Sequence, residues 1–137
     1  MFEKYQNYLE YYIDNIKPVI NELDIALKCK SRLKNKEISK ILGISEEEIE
    51  NLRKKHNLEA INSDSLIKIM QEGSSSICKI FQREMEVGSP FTYTRDQLAY
   101  IYNFDKDLVN YVCEDLNIKE ITWQSMPIVF GSLPYID

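Results

Sequence analysis

Apolar residues recur at three- and four-residue spacing along most of the chain, which places them on one side of an α-helix. The first run predicts a helix over 2–16, and Pro18 suits the first turn of a second helix over 18–32. The same spacing predicts later helices over 35–42 and 46–56, after the Ser-Asp-Ser caps at 63–65, from Ile77 to near Gly88, and over 95–102 and 105–116.

Extended segments are few. Only LEAI (58–61) and IKEIT (118–122) have the composition of short strands, and the apolar tail from Trp123 is expected to form turns or a short helix. Four glycines and four prolines among 137 residues also argue against an all-β fold. We therefore expect a mainly α fold with one or two very short β-strands. The flexible GSSS stretch (73–76) predicts a boundary between domains 1–72 and 73–137, which we expect to share one core.

The chain repeats itself at an offset of 60 residues. EISKILGISEEEIENLRKKHNLEAI (37–61) matches QLAYIYNFDKDLVNYVCEDLNIKEI (97–121). Gly43 pairs with Asn103 and Asn57 pairs with Asn117, and both residue types tolerate a left-handed backbone. Because only two copies fit, the repeat does not indicate a long solenoid.

Both copies resemble the helix-turn-helix of bacterial and phage regulators, a pattern of about twenty residues. The first module covers 35–56 and the second 95–116, with a small residue (Ser39 or Ala99) where the two helices cross. The five apolar positions are filled in each module by Ile38, Leu42, Ile44, Ile49 and Leu52, and by Leu98, Tyr102, Phe104, Val109 and Val112. The resemblance implies a tandem helix-turn-helix scaffold, and it implies no particular target.

The resemblance also implies where double-stranded DNA would bind. Helix-turn-helix proteins read bases with the start and outer side of the second helix, and the first helix touches the DNA backbone. The implied DNA-binding residues are Lys34, Lys36, Lys40, Ser45, Asn51, Lys54 and Lys55 in the first module, and Lys106, Asn110 and Tyr111 in the second.

Charge favours the first module for this role. The net charge is −5, but residues 28–56 carry nine basic and five acidic side chains, which is net +4. Four of those acids, Glu46, Glu47, Glu48 and Glu50, open the recognition-type helix. Ser45 and Glu48 have capping-box spacing, and carboxylates stabilise the first turn of a helix. Alternatively, one glutamate accepts a hydrogen bond from cytosine. The acidic second module suits protein contact or the core better than phosphate.

Four tyrosines lie in the first predicted helix at positions that surround more than one side of it. A helix can bury one side only, so part of this aromatic surface is expected to stay exposed. Tyrosine is favoured at protein interfaces. The pattern predicts a homodimer interface formed by Tyr5, Tyr8, Tyr11 and Tyr12.

Other chemistry is sparse. Cys29, Cys78 and Cys113 are too widely spaced for a metal motif and are expected to be buried, inert thiols. His56 is the only histidine, and no nucleophile, phosphate-loop or metalloprotease motif occurs. We expect no catalytic activity, no metal and no cofactor.

No apolar run reaches the roughly 20 residues of a membrane span, and the acidic N-terminus is unlike a signal peptide. We therefore expect a cytoplasmic protein with no membrane partner. Two functions fit the sequence. One is a small DNA-binding transcriptional regulator that uses the first module. The other is an adaptor or antagonist that binds another regulator or RNA polymerase through a helix-turn-helix scaffold.

Overall fold

The structure, a computed structural model, describes residues 5–28, 33–88 and 90–136. It is mainly helical, as the sequence predicts. The helices are α1 (Tyr8–Tyr11), a π-helical turn (Tyr12–Ile16), α2 (Lys17–Lys28), α3 (Asn35–Leu42), α4 (Glu46–Lys55), α5 (Ser63–Glu72), α6 (Ser76–Val87), α7 (Arg95–Tyr102), α8 (Lys106–Asp115) and α9 (Met126–Gly131).

The first helix begins later than the predicted start at residue 2. The side chain of Asn7 accepts a hydrogen bond from the amide of Glu10 and so caps α1, and Asn7 also pairs with Pro134 in an antiparallel bridge. The helical segment then continues through the π-helical turn into α2, so Pro18 lies in an unbroken helical run. Predicted positions 2–4 and 29–32, which include Cys29, lie outside the described residues.

The chain forms two compact units. The central unit is Lys17–Gln82, and the terminal unit combines Met1–Ile16 with Arg83–Asp137. The stretch at 73–76, where the sequence predicts a domain boundary, is hydrogen-bonded within the central unit, and the predicted division at that stretch stays a prediction. The amide of Gly73 donates to the carbonyl of Ile69 at 2.8 Å, and the amide of Ser74 donates to the Glu48 carboxylate at 2.8 Å.

Each unit holds one of the two repeated helix pairs, α3–α4 in the central unit and α7–α8 in the terminal unit. The module turns are left-handed, as predicted, with φ of 70° at Gly43 and 58° at Asn103. The residues after α4 and α8 are left-handed too, with φ of 54° at Asn57 and 56° at Asn117. Helices α3 and α4 pack together in the central unit, and α7 and α8 pack together in the terminal unit.

Both modules are closed by an antiparallel bridge in place of the predicted strands. Leu33 pairs with Ile61, and Tyr93 pairs with Ile121 at the equivalent positions. The amide of Leu33 donates to the Ile61 carbonyl at 2.9 Å, and the amide of Tyr93 donates to the Ile121 carbonyl at 2.8 Å. Ile61 and Ile121 are buried. Each bridge therefore joins the entry of the first helix to the exit of the second.

The repeat continues past the modules, which the sequence comparison missed. Asn62 accepts a hydrogen bond from the Ser65 amide at 3.0 Å, and Thr122 accepts one from the equivalent Ser125 amide at 3.1 Å. The following helices, α5 and α9, bury equivalent residues, namely Leu66 and Met126, Ile69 and Val129, and Met70 and Phe130. The repeated unit thus comprises the module, its bridge and the next helix.

The central unit has an aliphatic core to which α2–α5 and the start of α6 contribute. Its buried members come from all the described elements of the unit: Leu23, Ala26, Ile38, Leu42, Ile44, Ile49, Ile61, Leu66, Ile69, Met70 and Cys78. Cys78 is fully buried there, and Cys113 is fully buried in the terminal unit, as predicted for inert thiols. Burial raises the pKa of both thiols.

The terminal unit has an aromatic core that includes the predicted interface tyrosines. Tyr8 packs edge-on against Phe104 and Phe130, and Tyr12 contacts Tyr102 and Phe130. Tyr5 and Tyr11 pack against each other and Tyr135. Tyr5 and Tyr8 are buried and Tyr11 and Tyr12 are half-buried. The apolar tail, α7 and the turn after it cover Tyr5 and Tyr8, whereas Tyr11 and Tyr12 stay partly exposed, and the homodimer interface stays a prediction.

This aromatic core predicts a selective sensitivity to alkali. Burial raises the pKa of Tyr8, Tyr12 and Tyr102, so the folded terminal unit keeps phenolic protons that the unfolded chain releases above pH of about 10. The stabilisation is complete below that pH and is lost as pH rises. All nine tyrosines lie in the terminal unit. The part of the tyrosinate absorbance that comes from these buried rings should therefore appear during alkaline titration only as that unit unfolds.

Tyr8→Phe/Tyr102→Phe is the matched control, because it keeps both rings and removes two ionisable hydroxyls. The double variant should shift the alkaline unfolding midpoint to higher pH with little change in stability at neutral pH. An unchanged midpoint would show that these phenols do not govern the transition.

Candidate nucleic-acid interface

Three of the predicted lysines lie at or along the first helix of the first module. Lys34 precedes α3 at its N-cap, and Lys36 and Lys40 are four residues apart on one side of α3. All three are exposed, and within the described part of the chain none of them forms an ion pair. Their ammonium groups are therefore available to phosphate.

The buried side of α3 explains why these lysines point outward. Ile38 and Leu42 are fully buried. The hydroxyl of Ser39, the predicted small residue, donates to the Ile44 carbonyl in the turn at 2.6 Å. Residues at positions 36 and 40 must then lie on the solvent side.

Two of the four glutamates of α4 are engaged within the central unit. The Glu48 carboxylate accepts from the Ser74 amide at 2.8 Å and from the Ser74 hydroxyl at 2.6 Å. The Glu50 carboxylate accepts from the Asn35 amide group at 2.9 Å and lies 3.7 Å from Arg53. Glu46 and Glu47 are exposed, without a partner among the described residues. The acidic run is thus half structural and half exposed.

Half of the predicted capping box is present. Ser45 accepts a hydrogen bond from the Glu48 amide at 3.0 Å, as predicted. The Glu48 side chain does not return to the Ser45 backbone, because the loop before α6 offers two donors at Ser74. A complete capping box does occur in the second module, between Thr94 and Gln97.

The outer side of α4 carries Asn51 and Lys54, both exposed and without a partner in the described chain. Lys55 is different, because its ammonium lies 2.8 Å from the Glu72 carboxylate at the end of α5. His56 contacts the same carboxylate. The hydrogen bond from Lys55 lowers the pKa of Glu72. Lys55 therefore ties α4 to α5, and Asn51 and Lys54 remain available to a partner.

Arg53 has a structural role that the sequence did not reveal. Its guanidinium donates to the Leu58 carbonyl at 3.2 Å, to the Asn35 side chain at 2.9 Å and to the Glu59 carbonyl. In the second module the equivalent carbonyl, Ile118, accepts instead from Arg95 of α7 at 2.8 Å. Each module thus secures the chain after its second helix with an arginine, although the arginine comes from a different helix.

The second module presents a different surface. Lys106 lies 3.2 Å from Asp96, so the one lysine predicted to contact DNA here is already paired. Asn110 is half-buried, and Tyr111 is 71% exposed. Glu114 lies 2.7 Å from Arg95, which lowers the pKa of the Glu114 carboxyl. The predicted lysines of α3 in the first module are therefore exposed without an ion-pair partner among the described residues, whereas Lys106 and Arg95 of the second module are paired.

A groove of about 420 Å³ lies beside the turn of the second module. Its charged lining groups already have partners, since Asp96 pairs with Lys106 and Arg83 donates to the Ile101 carbonyl at 2.8 Å. Tyr100 at its edge donates to Glu86. The groove accordingly offers no unpaired cation for an anionic ligand.

Among the described residues, no group of three or more His, Cys, Asp and Glu side chains could hold a metal ion. No helix in the described ranges has the length and apolar character to cross a membrane. Comparison with protein-family models, curated proteins and solved structures found no match to this chain.

The two kinds of glutamate predict different mutational effects. Glu48→Ala leaves the Ser74 amide without its carboxylate partner and should lower the free energy of unfolding by about 1 kcal/mol. Glu47→Ala, one residue away and without a partner in the described chain, should change it by less than about 0.5 kcal/mol. Urea unfolding followed by helical circular dichroism measures both. Equal effects would contradict the structural assignment of Glu48.

Proposed function

We propose that the chain is a small DNA-binding transcriptional regulator and that its first module contacts duplex DNA. The observation that supports this most is the set of exposed lysines without an ion-pair partner in the described chain: Lys34, Lys36, Lys40 and Lys54. Neutralisation of phosphates by such cations provides most of the affinity of a protein for DNA. We call these four residues the lysine face.

The resemblance to a helix-turn-helix assigns a role to each part of the lysine face. In the proposed mode, Lys34, Lys36 and Lys40 at and along α3 contact the DNA backbone, and the outer side of α4 approaches the major groove with Asn51 and Lys54. Asn51 carries the side-chain amide that pairs with adenine. Ser45 stays at the helix start, where its hydroxyl is held by the cap.

The carboxylates modify this proposal without removing it. Glu48 and Glu50 are held by Ser74 and Asn35, so neither is presented freely to a duplex. Glu46 and Glu47 remain exposed and should weaken binding to phosphate. This binding mode therefore places two glutamates, Glu46 and Glu47, near the major groove of the DNA. Binding to DNA should accordingly be moderate at physiological salt and strong at low salt.

Charge reversal of the first helix tests the proposal. Lys34→Glu/Lys36→Glu/Lys40→Glu should abolish retention on duplex DNA, including its own promoter region, because three phosphate contacts are lost. In a milder form, replacement of the three lysines by Gln should reduce the slope of log affinity against log salt by about 3. Fluorescence anisotropy with labelled duplex at several salt concentrations measures both.

The matched control reverses three exposed lysines elsewhere in the central unit, Lys17→Glu/Lys68→Glu/Lys79→Glu. It has the same net charge as the triple variant of α3. Equal loss of DNA binding in both variants would therefore show that overall charge alone explains the effect. If the unaltered protein does not bind duplex DNA at low salt, the proposal is wrong.

A second candidate function is a protein-interaction adaptor or antagonist, and the surface of the second module favours it. Tyr111 is 71% exposed on α8, between Asp107 and Glu114. An exposed tyrosine among carboxylates suits a basic protein partner more than DNA. Retention of a regulator or RNA polymerase in nuclease-treated extract, unchanged by the α3 triple variant and lost in Tyr111→Ala, would support this function instead.

A further inference from the structure

Three equivalent positions carry a lysine in the first module and a carboxylate in the second, and the net charges of the modules are 0 over 35–56 and −3 over 95–116. At the offset of 60 residues, Lys36 of the first module corresponds to Asp96, Lys54 corresponds to Glu114, and Lys55 corresponds to Asp115. These residues occupy equivalent places because both modules share the turn, the bridge and the helix bounds. The sign of the charge is therefore inverted at residues that occupy equivalent positions in the two modules.

The inversion is sharpest on one side of α8. Asp107, Tyr111, Glu114 and Asp115 are spaced by four, three and one residues, so they form one exposed stripe along the helix. We call it the α8 stripe. Three of its four members are acidic, which gives a formal charge of −3, although Glu114 is already paired with Arg95. The equivalent stripe of α4 holds Glu47, Asn51, Lys54 and Lys55, with a formal charge of +1, and Lys55 is already paired with Glu72.

The α8 stripe also has the apolar element that a docking surface needs. Tyr111 is 71% exposed at the centre of the stripe, where the first module has Asn51. A tyrosine ring buries a large area on contact and accepts the hydrocarbon stem of a lysine against its face. Asp107 and Asp115 on either side have no partner in the described chain, so their carboxylates are available to ammonium groups.

We propose that the α8 stripe binds the lysine face of a second copy of this chain. The lysine face is exposed and lacks ion-pair partners in the described residues, and the α8 stripe has the complementary charge around an exposed aromatic ring. Lys36 and Lys54 of one copy contact the carboxylates of the other, and the stems of these lysines pack on Tyr111. The interaction uses the same lysines as DNA binding, but it does not depend on DNA binding.

A contact of this kind has a regulatory consequence. Because the lysine face cannot engage phosphates and carboxylates at once, a duplex and a second copy compete for it. Self-association should therefore lower the apparent affinity for DNA as protein concentration rises. Added duplex should in turn dissociate the complex between the two copies. Both contacts weaken with salt, since both pair opposite charges at an exposed surface.

Sedimentation velocity of the full chain without DNA tests the inference through complementation. Lys36→Glu/Lys54→Glu removes the lysine face and keeps the α8 stripe. Asp107→Lys/Asp115→Lys removes the stripe and keeps the lysine face. The unaltered protein should associate in a concentration- and salt-dependent manner, each double variant alone should sediment as a monomer, and an equimolar mixture of the two should form a 1:1 complex.

Recovery of association in the mixture cannot arise from misfolding, since both variants must present an intact surface to form the complex. Tyr111→Ala should weaken self-association about tenfold or more, as expected for a central aromatic contact. Lys68→Glu/Lys79→Glu is the control for charge and should associate like the unaltered protein. A monomer at all concentrations, or two monomeric variants that fail to combine, overturns the inference.

The outcome is separable from that of the proposed function. Asp107→Lys/Asp115→Lys keeps the lysine face, so it should still bind duplex DNA if the first module is the DNA-binding module. Association without DNA binding would reject the proposed function alone, and DNA binding without association would reject this inference alone.

Discussion

Each module is closed by an antiparallel bridge between the residue two positions before its first helix and the residue six positions after its second. Ile61 and Ile121 bring a buried side chain to that bridge, so the backbone pairing and the core are formed by the same residue. An arginine then secures the neighbouring carbonyl, from Arg53 in one module and from Arg95 in the other. Because the bridge and the arginine fix both ends of the helix pair, its geometry is the same in both modules. The residues on its exposed side can therefore differ between the modules.

That freedom accounts for the difference between the modules. Buried positions keep the same character at both copies, as Ile38 and Leu98 or Ile49 and Val109 show. Some exposed positions change sign, as Lys36 and Asp96 or Lys54 and Glu114 show. A repeated scaffold whose two modules differ in the charge of their exposed residues is suited to two different partners. The proposals for duplex DNA at one module and for a second copy at the other follow from this single property.

Local features of the fold could be predicted from sequence. The bounds of α3 and α7 match the predicted 35–42 and 95–102, because caps, turn residues and apolar spacing all act within a few residues. The left-handed turns at Gly43 and Asn103 follow from residue type alone. The lysines of α3 were expected to be exposed, since the apolar residues of that helix fix which side is buried.

Features that depend on distant residues could not be predicted. Glu48 has capping-box spacing with Ser45, but Ser74 supplies its donors from 26 residues away. The tyrosines near the N-terminus have an interface-like pattern, but Phe130 and Tyr135 from the other end of the chain cover them. The division into units also joins the two chain termini, which no local pattern of Gly and Ser at 73–76 could indicate.

The central claim is that the first module alone carries the DNA-binding surface. Backbone amide chemical shifts of the labelled chain, recorded at low salt during titration with a short duplex, test it residue by residue. We predict changes at Lys36, Asn51 and Lys54, and unchanged signals at Asp107, Tyr111 and the single tryptophan, Trp123. Changes confined to α7 and α8, or no change at saturating duplex, would contradict the claim.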